Sequence, residues 1–248
     1  MGEGTSLPGF GGWYHLVFFG LLIPWAAWKS RHRLERGPLP PRPRHFVAVI
    51  IQLALFLGIS LWVAWAEGID LAQLPRSGLA PWGLAAVMLA AGLVLMAPRW
   101  RKGVERRERK LHLFMPRTGR ERALWFGVSA AAGLSEEVTY RGVMFAIVAG
   151  LTGSPLAAAA VASVVFGVSH VVQGWRSVVI IMGIALALHG LVALSGSLLP
   201  AIVIHAVYDA VAGLAYGRMG EEMGYPVDGI PLADEPTEAV PGAASANS

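Results

Sequence analysis

An all-α, polytopic membrane bundle is the fold class this sequence predicts, and three observations carry it. The 248 residues are 55% hydrophobic and 15% charged, with mean hydropathy +0.55, a balance that belongs to membrane proteins rather than soluble domains. The apolar residues fall into seven long runs, roughly 10–28, 46–66, 80–97, 122–149, 155–172, 177–195 and 198–216, each near the length of about 20 residues that a spanning helix needs. Between the runs, Lys and Arg are concentrated in two connectors only.

Taken in order, the first run has no basic residue before it and is too long for a signal-peptide core, so it is expected to be a retained helix. Six Lys and Arg follow, from Lys29 to Arg44, and the Pro-rich stretch from Gly37 to Arg44 reads as a stiff connector. The second and third runs are joined by a loop with Arg76 as its one basic residue. Ten Lys and Arg lie from Arg99 to Arg122, where residues 99–122 are expected to form a short amphipathic surface helix. The fourth run is overlong, so it is expected to be tilted, broken near Gly133 or partly outside the bilayer. In the later runs Ala157 to Ala160, Gly167 and Gly183 suit close helix approach. The tail after Arg218 is rich in Pro, Ala, Gly and acidic residues, and is expected to be disordered from about 231.

The two basic connectors are cytoplasmic by the positive-inside rule. Seven spans then put the N-terminus outside and the C-terminus inside, in a multi-pass protein of a prokaryotic plasma membrane. The pI near 9.8 follows from these connectors. Their juxtamembrane position points to anionic lipid headgroups rather than to nucleic acid. Trp13, Trp28, Trp65, Trp82, Trp100 and Trp125 lie near span ends and read as interfacial anchors. There is no cysteine, so thiolate and disulfide chemistry are excluded.

The chain divides into residues 1–120, three spans and the basic loops; 121–216, which hold every intramembrane charge; and 217–248, a polar tail. A charge at the bilayer centre costs about 2.5–3.5 kcal/mol even on insertion scales, so such groups mark function by default. Among the 16 Asp and Glu, those well inside predicted spans are Glu136, Glu137 and Asp209. Glu137 and Arg141 are four apart with the acid N-terminal, the favourable pairing orientation. Glu136 is rotated about 100° away on the helix and is left free. A free carboxylate in a pocket can act as a general base on water. Phe166 and His170 share one helix face, and His205 and Asp209 share another. If these helices pack together, Glu136, His170, His205 and Asp209 converge. His189 lies outside these motifs and reads as packing.

The motifs Glu136-Glu137-xxx-Arg141, Phe166-xxx-His170 and His205-xxx-Asp209, with Gly196-Ser197-Leu198 before the last span, resemble the CAAX-protease and bacteriocin-processing (CPBP) family of intramembrane endopeptidases. The resemblance covers about residues 121–216; the first three spans contribute nothing specific. It implies that Glu136 and His170 activate water and that His205 and residue 209 stabilise the oxyanion. Glu137, Arg141 and Phe166 would then be supporting. The family's prenyl endopeptidases look to have Asn at the position of Asp209. The implied partner is a peptide or a membrane-anchored or prenylated protein, within the lipid bilayer. No cofactor is implied. The Glu and His donors can ligate a metal, but no His-Glu-xx-His signature is present and a metal-free site is favoured.

Two readings from other classes share the same polar pattern. A proton-coupled transporter would use buried Glu and His as a relay, although no inverted repeat is evident. A catalytically inactive membrane scaffold or bacteriocin immunity protein would need no chemistry.

Overall fold

The computed structural model describes residues 7–72 and 79–229, so Arg76 and the tail expected to be disordered lie outside the described residues. Among the described residues every regular element is a helix. In chain order they are α1 (Phe10–Arg36), α2 (Arg42–Ala66), α3 (Ala80–Glu105), a 3-10 turn (Arg109–Phe114), α4 (Gly119–Glu136), a π-helical stretch (Glu137–Met144), α5 (Phe145–Thr152), α6 (Pro155–Ser169), a second 3-10 turn (Val171–Gln173), α7 (Trp175–Ser195) and α8 (Leu199–Glu222). Helices α1, α2, α3, α7 and α8 are each long and apolar enough to cross a membrane. The fourth expected span is one rod made of α4, the π stretch and α5. The fifth, α6, has 15 residues. At 1.5 Å per residue that is about 22 Å, short of the roughly 30 Å hydrocarbon core.

Local chemistry sets the helix ends. Pro43, Pro81, Pro155 and Pro200 occupy the first turns of α2, α3, α6 and α8, where a missing N–H costs nothing. Gly153 and Gly196 end α5 and α7 in the left-handed region, at φ 64° and 67°, which glycine enters without steric penalty. Thr118 and Glu121 form a reciprocal capping box at the start of α4.

Helix α4 is central: it packs on α2 along one side and on α8 along another, α8 packs on α3, and α6 is held between α5 and α7. Leu55, Val87, Val94 and Val179 stand on the outer face, an apolar surface suited to lipid rather than water. The basic connectors meet at one end of the bundle. There Arg42 is buried, donating to Glu121 Oε1 at 3.1 Å and to the Val227 carbonyl at 2.7 Å, with His112 Nδ1 3.1 Å from its guanidinium. Lys110 donates to the Gln173 carbonyl at 2.7 Å, tying this end to the turn after α6.

Several sequence expectations change. Gly133 does not break the fourth helix. A Cβ there would lie 2.8 Å from the Ile202 carbonyl oxygen and 2.9 Å from the Ala206 nitrogen, so its role is close approach of α4 to α8. Residues 99–122 are not a surface helix: α3 continues to Glu105, and the 3-10 turn buries Leu111, His112 and Leu113. Trp100 and Trp125 are buried inside the protein. Gly167 packs against Val178 and Met182, but Gly183 has open space beside it and permits no close contact. The polar tail begins later than residue 217, because α8 runs to Glu222 and Tyr225 is buried against the basic end.

Candidate active site

Four elements deliver the polar side chains. Glu136 is the last residue of α4, and Glu137 opens the π stretch, in which hydrogen bonds run from i to i+5. Helix α6 stops at Ser169, leaving His170 as its C-terminal cap. His205 and Asp209 lie one turn apart on α8. No local sequence signal marks the π stretch; Glu137 and Thr139 find partners on other helices, while Arg141 pairs with Glu137 inside it.

The adjacent glutamates meet different surroundings. Glu137 is fully buried. Its Oε1 accepts from His205 Nδ1 at 2.7 Å and lies 3.2 Å from Arg141 Nη1. Glu136 is 19% exposed at its side chain, and its Oε2 lies 3.6 Å from His205 Nε2 and 3.9 Å from His170 Nε2. Those gaps exceed a direct hydrogen bond and are the kind a water bridges. Asp209 Oδ2 is 3.6 Å from the same His205 Nε2. The structure therefore brings Glu136, His170, His205 and Asp209 together.

The hydrogen bonds assign the imidazole faces. His170 Nδ1 lies 2.8 Å from the Phe166 carbonyl oxygen. A carbonyl only accepts, so Nδ1 carries the hydrogen and Nε2 is turned toward Glu136. His205 Nδ1 donates to the Glu137 carboxylate and likewise leaves Nε2 facing the cluster. Phe166 wedges the group: its ring lies 4.5 Å from His170, 6.3 Å from His205 and 5.0 Å from Tyr140. The Arg141 guanidinium sits 4.4 Å over the same ring, a cation–π contact that gives the buried charge a second partner.

Two contacts were not legible in the sequence. Glu137 was expected to serve Arg141 and instead also fixes His205, 68 positions away. Trp125 Nε1 donates to the Asp209 carbonyl at 2.9 Å. Gly213 makes room for that indole, since a Cβ there would collide with the Trp125 Nε1. His189 is buried with its ring 5.3 Å from that of Phe145, within electrostatic reach of Glu137 and Arg141.

Residues 119–211 match the family described as Type II CAAX prenyl endopeptidase Rce1-like. The match covers less than half of the chain and makes this core similar to the CAAX-protease (CPBP) family. The five long apolar helices make the chain an integral membrane protein, and the matched segment contains all seven residues of the cluster and its supports. Helices α1 to α3 lie outside the match. No curated protein and no solved structure matches the chain.

Proposed function

We propose that this chain is a CAAX-type, glutamate-dependent intramembrane endopeptidase. It cleaves a peptide bond near the C-terminus of a membrane-associated or prenylated protein or peptide, and residues 121–216 form its catalytic core. The observation that carries the reading is the division between the two glutamates. Glu137 is engaged by Arg141 and His205, whereas Glu136 faces two histidine Nε2 atoms at 3.6 and 3.9 Å with no direct hydrogen bond.

In the proposed reaction a water sits between Glu136 and His170. His170 orients it and Glu136 takes its proton as general base. The resulting hydroxide attacks the scissile carbonyl carbon, and the carbonyl oxygen becomes an oxyanion. His205 in its doubly protonated form keeps Nδ1 on Glu137 and donates to the oxyanion from Nε2. Asp209 stands beside that nitrogen, its Oδ2 3.6 Å away. When the C–N bond breaks, the proton on Glu136 passes to the leaving amine. No metal takes part. Arg141 and Phe166 support the Glu137–His205 arm. The basic end of the bundle faces the cytoplasm, with the N-terminus outside.

The test is hydrolysis of prenylated and unprenylated C-terminal peptides by purified protein in detergent. Glu136→Gln is expected to abolish cleavage, a loss on the order of 10²–10⁴-fold, with the fold intact. Cleavage by that variant at the wild-type rate would refute the mechanism. Wild-type protein that cleaves neither peptide would favour the inactive scaffold. Activity is also expected to survive chelators. Stoichiometric zinc whose removal and return switch activity off and on would replace this scheme with a metalloprotease.

A further inference from the structure

A second buried polar system lies away from the cluster, and the mechanism makes no use of it. His15 on α1 is 0% exposed, and its Nε2 lies 3.3 Å from Ser60 Oγ on α2. Ser60 Oγ is in turn 2.8 Å from Thr139 Oγ1. Ser60 and Thr139 are also buried. Thr139 is the third residue of the π stretch, two positions after Glu137. Three polar side chains from three helices thus form one chain that ends on the backbone carrying the glutamates.

The hydroxyl of Thr139 behaves unlike its neighbours in the bundle. Ser129, Thr152 and Ser169 each donate to the carbonyl four residues back on their own helix, the usual resort of a hydroxyl in an apolar helix. Thr139 pairs laterally with Ser60 instead. The facing part of α1 is π-helical too, over Phe18–Leu22. From it the fully buried Phe19 reaches the Tyr140 ring at 6.3 Å. The two irregular helical stretches therefore meet at this aromatic contact, beside the polar chain.

A π stretch holds one residue more per hydrogen-bonded loop than an α-helix. If it relaxed to α, the helix beyond would shift by one position, about 100° of rotation. Glu136 and Glu137 would then change phase relative to Arg141. Something outside the helix must hold the π register, and Ser60 and His15 grip it beside the glutamates.

We propose that Thr139, gripped by Ser60 and His15, is a positioning residue that fixes the π register and so delivers Glu137 to His205 and Glu136 to the reacting water. This rests on the proposed endopeptidase reading. It also gives helices α1 and α2, which lie outside the family match, a part in the chemistry.

Thr139→Val keeps the shape and removes the hydroxyl, Thr139→Ser keeps the hydroxyl, and Ser60→Ala cuts the grip from the other side. Thr139→Val and Ser60→Ala are expected to lower kcat on the order of tenfold to a hundredfold, as misplaced catalytic groups do, with KM changed less than about twofold. Thr139→Ser should restore most of kcat. The double variant should be no worse than the poorer single, because both cut one chain. A second readout does not need activity: with ¹⁵N-labelled histidine, the Nδ1 proton of His205 (assigned by its loss in His205→Ala) should move in Thr139→Val and return in Thr139→Ser. If Thr139→Val and Ser60→Ala leave both kcat and that resonance as in wild type, the proposal is overturned. It is equally overturned if Thr139→Ser is as impaired as Thr139→Val. A wild-type protein that cleaves nothing, yet whose His205 resonance depends on Thr139, would sink the endopeptidase reading and leave the positioning role standing.

Discussion

At the residue scale, adjacent glutamates do unlike work because one helix turn points them at different neighbours. Glu137 and Arg141 are both fully buried, so removing the carboxylate strands a charge where water cannot reach. Breaking such a pair costs about 3–5 kcal/mol. Glu137→Gln should therefore lower the thermal midpoint in detergent as well as activity, whereas Glu136→Gln should lose activity alone. Equal thermal shifts in both would contradict the assignment. Asp209 makes a different case. Its carboxylate is 32% exposed and stands 3.6 Å from His205 Nε2, near where the oxyanion would form. An ionised Asp only accepts, whereas Asn also donates. Asp209→Asn is expected to keep activity within about tenfold, and His205→Ala to lose most of it. An inert, folded Asp209→Asn protein would show that the carboxylate itself is required, as a proton carrier or as the partner of a charged His205.

At the element scale, the site depends on how closely α4 approaches α8. Gly133 is the contact point, and the atoms a side chain would meet there include the backbone of Ile202 and Ala206. Backbone cannot rotate aside as a flexible side chain can, so the two helices must separate. Overpacking of this kind typically costs about 1–3 kcal/mol. Gly133→Ala should lower the thermal midpoint and also reduce kcat, since Glu136 and His205 sit on the two helices being pushed apart. Gly183→Ala is the control, having open space beside it, and should change neither. Similar losses in both variants would mean that Gly133 does not set the helix spacing.

At the scale of the whole molecule, the basic end closes the bundle with a buried polar knot. His112 is pushed down to about 4 from 6.5, chiefly by burial and then by the Arg42 guanidinium, against Glu121, Asp228 and the Pro40 carbonyl, which favour the charged form. A histidine held neutral when folded takes up its proton more readily when unfolded. Its contribution to stability is therefore fully present above about 6.5 and is lost as pH falls from there toward about 4. A charged His112 would also repel Arg42, which bridges Glu121 and the Val227 carbonyl. The expected outcome is a thermal midpoint that falls between pH 7 and pH 5 less steeply in His112→Asn than in wild type, together with earlier proteolysis near Val227 in acid. Parallel pH profiles for the two proteins would remove His112 from the account.

What the sequence determined by itself was whatever depends on short spacing and composition. Apolar runs specify helices in lipid, because backbone groups there must be satisfied within the segment. Spacings of four put Glu137 with Arg141, Phe166 with His170 and His205 with Asp209, since residues four apart share a helix face. The tertiary structure alone decided everything that depends on a partner far along the chain. That Glu137 reaches His205, that Trp125 holds the Asp209 carbonyl, and that Thr139 is gripped from α1 and α2 are contacts between helices distant in sequence. Helix rotation and tilt come from packing, and no local pattern encodes them. The π stretch belongs with these, because its residues suit an α-helix equally well and only their partners on neighbouring helices select the wider turn.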